Sequence, residues 1–284
     1  MSAPSDTLSD PDSVESPDAP DAPTPDSSDA PDSSDASNRS ETSDPSDATD
    51  PRLNAEYVRT VSHSDHGDVT LVGVVHDHPA SAFRARAVVR ERAPEAVALE
   101  LPALAVPLYR AYAGDDGAPP SFGGEMSAAV QAARDSDSEV VGIDAPTPAF
   151  LARLARNCWE ERATAGTVRR VASGVASVTR HAMVCRAAAS LATRTSLRVE
   201  VGDPVAHDCT RSDPPEAQAR DERQQAERSL SFLRTFDAPE SIRLRDETRE
   251  ECMAQNLRNL RKRGDAVAVV GIDHLDGIAR RLKK

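Results

Sequence analysis

The chain has 284 residues, with 47 acidic and 34 basic side chains and a formal net charge of −13. Fourteen of the acids but a single basic residue, Arg39, fall within positions 1–50, so the remainder of the chain is formally neutral. This balance argues against nucleic-acid binding, which depends on a basic surface. The sequence also lacks a signal segment and any apolar run of about eighteen residues, so we expect a cytoplasmic protein without a membrane span.

Residues 1–53 consist mostly of Asp, Ser, Pro and Ala. Such a segment cannot bury enough apolar surface to offset its ordering entropy, which predicts a disordered acidic tail. The tail is either a solubilising, salt-tolerant extension or an acidic interaction arm. With only three lysines against 31 arginines in the chain, the composition resembles that of a halophilic archaeon. Residues 54–284 are sufficient for one domain with a large core.

The first half of this domain alternates between strands and helices. Strands are predicted at Val69–Val75, Glu95–Leu101 and Val140–Ile143, with helices at Pro79–Arg92 and about 124–135 between them. The first strand is rich in β-branched residues and nearly continuous in hydrophobicity, which is typical of a strand buried on both faces. This order predicts an α/β fold with a mainly parallel sheet, flanking helices and right-handed crossovers.

A helical insertion over about 148–263 is predicted to separate the third strand from the last one. The elements predicted from there onward are helices over 148–194, 217–236 and 239–263, a short strand at Leu197–Val201, a last strand at Ala266–Gly271 and a closing helix at Leu275–Lys283.

Polar side chains follow the predicted strands at the point where each strand ends. Because ligands bind beyond the carboxyl ends of parallel strands, we expect these side chains to share one site. Imidazole and carboxylate groups together suit Zn, Mn or Co, and such a site can activate a water for hydrolysis. The residues concerned are His76, His78, Glu100, Glu125, Asp144 and His274.

Several of these residues have a simpler structural interpretation. His78 precedes Pro79 and is predicted to cap the following helix, and Asp144 and Asp273 fit helix N-caps equally well. His76 and His274 differ from these because each closes a G-x-x-H pattern, Gly73–His76 and Gly271–His274, after a β-branched strand. The repeated context favours a functional role for both histidines.

The four cysteines, Cys158, Cys185, Cys209 and Cys252, include no C-x-x-C pair, which argues against a structural zinc site. We interpret them as reduced packing residues. The stretch His207-Asp208-Cys209 suggests a ligand cluster, but its spacing matches no established motif. The remaining histidines, His63, His66 and His181, lie in polar or helical surroundings that indicate no site.

Five segments together resemble the TraB/PrgY (pheromone-shutdown) family, which is related to the Tiki-like and ChaN/EreA-like proteins. They are LVGVVH at Leu71–His76, VALEL ending near Glu100, FGGEMSAAVQAAR at Phe122–Arg134, VVGID at Val140–Asp144 and VAVVGIDHLDGI at Val267–Ile278. The GGEM segment and the two G-x-x-H motifs in this order are the most specific elements of the resemblance.

The resemblance implies a set of site residues and two functions. His76, His274, Glu100 and Glu125 are expected to bind a divalent metal, with one glutamate as general base, and Arg245 is expected to stabilise negative charge. The implied activity is metal-dependent hydrolysis of a peptide or small-molecule substrate. The alternative is a non-catalytic regulator that binds a peptide or a partner. The oligomeric state is left open, a homo-oligomer included.

Overall fold

The computed structural model describes residues 50–114, 119–195, 200–202, 205–235 and 238–284, with backbone alone for 232–235. These residues belong to one compact unit. The predicted acidic tail lies outside the described residues except for its last four positions, and so does most of the predicted strand Leu197–Val201.

A five-stranded sheet forms the centre of the domain. Its strands are β1 (Val58–Val61), β2 (Val69–Val74), β3 (Ala96–Pro102), β4 (Glu139–Asp144) and β5 (Ala266–Gly271). They are arranged in the order β1-β2-β5-β3-β4, with β1 antiparallel to β2 and the other pairs parallel. The predicted α/β fold with a mainly parallel sheet is confirmed.

The edge strand β1 was absent from the sequence prediction. It has only four residues, Val-Arg-Thr-Val, and their burial does not alternate along the strand. A period-two pattern is the main sequence signal of an edge strand, so a strand this short and irregular escapes detection.

The helices of the described chain flank the sheet and fill the segment between β4 and β5. They are α1 (Pro79–Arg92), α2 (Val106–Tyr112), α3 (Gly124–Asp135), α4 (Pro148–Glu160), α5 (Ala165–Thr195), α6 (Pro215–Thr235), α7 (Glu240–Leu260) and α8 (Ile272–Leu282). None of the helices in the described part of the chain is long and apolar enough to cross a membrane.

Strand β5 belongs to two of the hydrophobic clusters of the domain. Val267 and Val269 pack with buried residues of α1 and α3, whereas Ala268 and Val270 pack with those of α7 and α8. Every residue of β5 is buried, and burying one valine contributes about 1.5–3 kcal/mol. Because α8 begins at the residue after β5, His274 lies in the first turn of that helix.

We expect truncation of a core methionine of α7 to destabilise the domain strongly. Met253 has no exposed surface, so Met253→Ala should lower the free energy of unfolding by about 2–5 kcal/mol through lost burial and a cavity. Met183 of α5 is 63% exposed, so Met183→Ala should change it by less than about 0.5 kcal/mol. Urea unfolding measures both values, and equal effects would contradict the placement of α7 against the sheet.

Candidate functional site

Charged side chains cluster at the carboxyl ends of β2 to β5, where α7 crosses the sheet. Three carboxylates of the cluster are buried, with relative exposures of 8% for Glu100, 7% for Asp144 and 2% for Glu125. Buried charges are tolerated only when they are paired or hydrogen-bonded, and each of these groups has such partners.

His76 is held by Glu125 of α3. The imidazole Nδ1 lies 2.8 Å from Oε1 of Glu125, and the other carboxylate oxygen accepts the backbone N–H of Asp77 at 2.9 Å. Gly124, with φ of +48°, brings α3 this close: a Cβ there would lie 2.7 Å from Oδ1 of Asp77. The hydrogen bond to Glu125 outweighs burial and raises the pKa of His76 to about 9.

Arg249 of α7 ties the ends of β3 and β4 together. Its guanidinium donates to Glu100 at 2.5 Å and to both oxygens of Asp144 at 2.9 and 2.7 Å. The second oxygen of Glu100 accepts the backbone N–H of Gly271 at 2.6 Å. Burial lowers the pKa of Arg249, but the bonds to Asp144 and the charge of Glu100 outweigh it, so the pKa is raised.

His274 is oriented by the residue next to Arg249. Its Nδ1 lies 3.3 Å from Oε1 of Glu250. The other oxygen of Glu250, Oε2, accepts a hydrogen bond from Arg281 at 2.6 Å. Its Nε2 lies 3.5 Å from Oε1 of Glu100 and 3.1 Å from NH1 of Arg249. A guanidinium can only donate, so Nε2 accepts and the proton of the neutral ring resides on Nδ1, facing Glu250. Burial lowers the pKa of His274, but Glu250 and Glu100 outweigh it and raise the pKa.

The two histidines therefore share one arrangement. Each presents Nδ1 to a helix carboxylate, Glu125 or Glu250. A Cβ built on Gly271 would lie 3.4 Å from both Nε2 of His76 and Oε2 of Glu100, and 3.9 Å from Cδ2 of His274. The three side chains thus converge on the space that Gly271 leaves open.

This arrangement fits a divalent cation in its donor chemistry. Metal-binding histidines usually donate their second ring N–H to a carboxylate, and two imidazoles with one carboxylate suit Zn, Mn or Co. Three features oppose a cation. The raised pKa of His76 leaves a proton on its Nε2 at neutral pH, which the ion must displace. Both oxygens of Glu100 already accept hydrogen bonds, and the guanidinium of Arg249 lies at Nε2 of His274 and would have to turn aside. The assignment of His76, His274, Glu100 and Glu125 as ligands stays a prediction.

A second cluster joins His78, Cys209 and Asp221. Among the described residues, this is the group of three ligand-type side chains whose ligand atoms all lie within 4.8 Å of one another, so it could hold a metal ion. Burial lowers the pKa of His78, while burial and the neighbouring Asp221 raise the pKa of Cys209 to about 12.

The structure brings together four of the five predicted site residues and separates the fifth. His76, Glu125, Glu100 and His274 meet at the sheet edge, whereas Arg245 bonds its neighbour Asp246 at 3.1 Å and lines an adjacent cavity of about 230 Å³. Its role in stabilising charge stays a prediction.

The arginine within the cluster is Arg249, one helical turn beyond Arg245. Sequence reasoning missed Arg249 and Glu250. The available signal was that they follow Arg245 by four and five residues in a predicted helix, so that Arg249 lies on the same helix face as Arg245.

The helix-cap interpretations have different outcomes. His78 is the N-cap of α1, and its Nδ1 accepts the N–H of Ala80 at 3.1 Å, as predicted. Asp144 is not a cap, because Thr147 occupies that position of α4. Asp273 lies inside the first turn of α8, where Ser229 donates to it.

We expect loss of the Arg249 charge to destabilise the domain. Arg249→Gln leaves Glu100 and Asp144 buried without their cation, and such a change lowers the free energy of unfolding by about 3–5 kcal/mol. Arg245→Gln is the matched control, since Arg245 is part-exposed with one neighbouring ion pair, and it should cost less than about 1 kcal/mol. Similar losses in chemical unfolding of the two variants would show that Arg249 does not organise the cluster.

Comparison of the chain with protein-family models, with curated proteins and with solved structures finds no match. The interpretation of the site therefore depends on its own geometry.

Proposed function

We propose that the chain is a metal-dependent hydrolase of the TraB/PrgY type, acting on a peptide or small-molecule substrate. His76 and His274 would bind the metal through Nε2, together with Glu100. The observation that carries this proposal is that each imidazole has Nδ1 fixed by a carboxylate, while both rings converge with Glu100 beside Gly271.

A bound Zn, Mn or Co ion would polarise the scissile carbonyl and lower the pKa of a bound water. Glu125 and Glu250 hold the two rings in the ligand tautomer. Glu125 lies at Nδ1 of His76, the ring nitrogen opposite the proposed ligand atom Nε2, and also accepts the backbone N–H of Asp77. We therefore assign to it orientation of His76 rather than metal binding or proton transfer.

Arg249 is better placed than Arg245 to stabilise negative charge that develops in the transition state. It already reaches Glu100, Asp144 and His274. The adjoining cavity has polar groups at Asp144, Arg245 and Arg249 and apolar walls at Phe150 and Val175. This combination suits a substrate with an apolar body and a polar reacting group.

A second candidate function is non-catalytic binding of a peptide or partner. The observation that favours it is the position of Arg249, which supplies positive charge to Glu100 and Asp144 directly. Under this alternative the network is complete without a cation, and the cavity beside Arg249 is a binding pocket.

Gly271→Ala is the sharpest test of the proposal. Its backbone conformation, with φ of −55°, accepts alanine, and the added methyl group would fill the space between His76 and Glu100. We expect the variant to fold but to bind Mn²⁺ at least tenfold more weakly, and to lose metal-dependent hydrolysis of a peptide and ester panel. Gly166→Ala is the matched control, because a Cβ there meets nothing closer than 3.7 Å.

Titration calorimetry with Mn²⁺ and hydrolysis assays with added Zn²⁺, Mn²⁺ or Co²⁺ provide the measurements. Equal Mn²⁺ affinity in the two glycine variants would refute the ligand assignment. Peptide binding that needs no metal and is accompanied by no hydrolysis would favour the binding function.

A further inference from the structure

The second cluster, His78–Cys209–Asp221, brings three different donor atoms together from distant parts of the chain. His78 stands between β2 and α1, Cys209 lies in the loop before α6, and Asp221 belongs to α6 itself. The side chain of His78 has no exposed surface, and that of Asp221 is 10% exposed. This cluster is separate from the groups around Gly271 and shares no side chain with them.

The spacing of the donor atoms fits tetrahedral zinc. Nε2 of His78 lies 3.1 Å from Oδ2 of Asp221 and 3.4 Å from Sγ of Cys209. With zinc bonds of about 2.0–2.3 Å, two ligands of a tetrahedron lie about 3.3–3.6 Å apart. Small shifts of the side chains would therefore admit the ion.

The chemistry of the three donors selects zinc among common divalent ions. A thiolate and an imidazole are poor ligands for Mg or Ca but good ones for Zn. One thiolate and one carboxylate also balance the two positive charges of the ion, so the bound cluster is neutral in a buried environment.

A cysteine–histidine nucleophile is a poorer interpretation of the same residues. In such catalytic groups the residue that orients the histidine binds the ring nitrogen opposite the nucleophile. Here Cys209 and Asp221 both approach Nε2, and Nδ1 accepts the N–H of Ala80. Several ligands converging on one point is the geometry of coordination.

Coordination requires a defined movement of protons. In the metal-free ring, Nδ1 accepts from Ala80, so Nε2 carries the proton and donates it to Asp221. On binding, the thiol proton of Cys209 leaves to solvent and the imidazole proton moves from Nε2 to Nδ1.

This shift removes one helix cap and leaves two buried donors, Nδ1–H of His78 and the N–H of Ala80, facing each other. Together these losses weaken binding by about 10- to 1,000-fold. Zinc-finger sites, which have four protein ligands, have apparent binding constants of about 10⁷–10¹² M⁻¹. A three-ligand site is expected to be weaker, so zinc binding requires coordination to outweigh the loss of the cap.

The surroundings already orient the cluster. Gln225 donates to Oδ2 of Asp221 at 2.9 Å, and its carbonyl oxygen faces Nδ1 of His207 at 2.8 Å. The other ring nitrogen of His207 lies 2.9 Å from the backbone carbonyl of His76. Hydrogen bonds of this kind fix the ligands of metal sites.

We propose that His78, Cys209 and Asp221 bind a Zn²⁺ ion, with a water molecule as the fourth ligand of the tetrahedron, and that the ion fastens the Cys209 loop and α6 to the start of α1. The zinc would hold the loop that contacts the backbone of His76, without taking part in the chemistry at Gly271. The proposal is independent of the hydrolase function, because it requires no activity and uses different side chains.

Cobalt substitution tests the proposal on the full chain, purified without a metal-affinity tag. Co²⁺ bound to a thiolate shows a near-ultraviolet charge-transfer band, and the site around Gly271 contains no thiol. We expect one equivalent of Co²⁺ to produce the band in the wild type, and Zn²⁺ to displace it. The band should be lost in Cys209→Ser and retained in Cys158→Ser, the matched control at another partly buried thiol.

The other outcomes are also decisive. Absence of the band in the wild type, or its persistence in Cys209→Ser, would overturn the proposal even if Co²⁺ binds elsewhere. If Cys209→Ser fails to fold, Asp221→Asn retains the thiol and should shift the midpoint of the cobalt titration at least tenfold. An unshifted midpoint refutes coordination by Asp221. Retention of the band in Gly271→Ala would separate this site from the proposed catalytic centre.

Discussion

The arrangement of charged groups at the sheet edge depends on the hydrogen bonds and ion pairs made by the guanidinium of Arg249. It reaches Glu100 on β3, Asp144 on β4 and His274 on α8, so a single side chain of α7 links three other elements. Two buried carboxylates would be mutually repulsive without a cation between them. A bound metal would have to share Glu100 with Arg249, and this competition decides between a catalytic centre and a binding pocket.

The short segment His76-Asp77-His78 connects the two clusters. Its three side chains bond in turn to Glu125, to the backbone of Val205 and to Asp221. The loop before α6 also reaches the backbone of His76 through His207. The orientation of His76 is therefore determined partly by residues far away in sequence.

The strand-end residues could be predicted because parallel sheets gather the carboxyl ends of their strands. His76 and His274 follow β-branched runs and Glu100 closes an apolar one, so the pattern indicated their location without a structure. Arg249 and Glu250 could not be identified in this way, because α7 is charged along much of its length and its sequence does not indicate which charges face the sheet.

The residues of the second cluster have no local pattern: Cys209 and Asp221 lie 131 and 143 positions from His78 along the chain. From the absence of a C-x-x-C pair we expected no structural zinc site, and the zinc proposal departs from that expectation. The pattern concerns only zinc bound by paired cysteines and carries no information about a site assembled from one cysteine, one histidine and one aspartate.

The position of β5 in the sheet has a consequence for how the domain folds during its synthesis. This strand follows the long helical segment in the chain, yet it lies between β2 and β3. During translation the β1–β2 pair and the β3–β4 pair have no hydrogen-bonded strand between them until residues 266–271 leave the ribosome. Until then both pairs expose an open edge, a state prone to mispairing. Completion of the sheet and assembly of the groups around Gly271 are therefore the same late event.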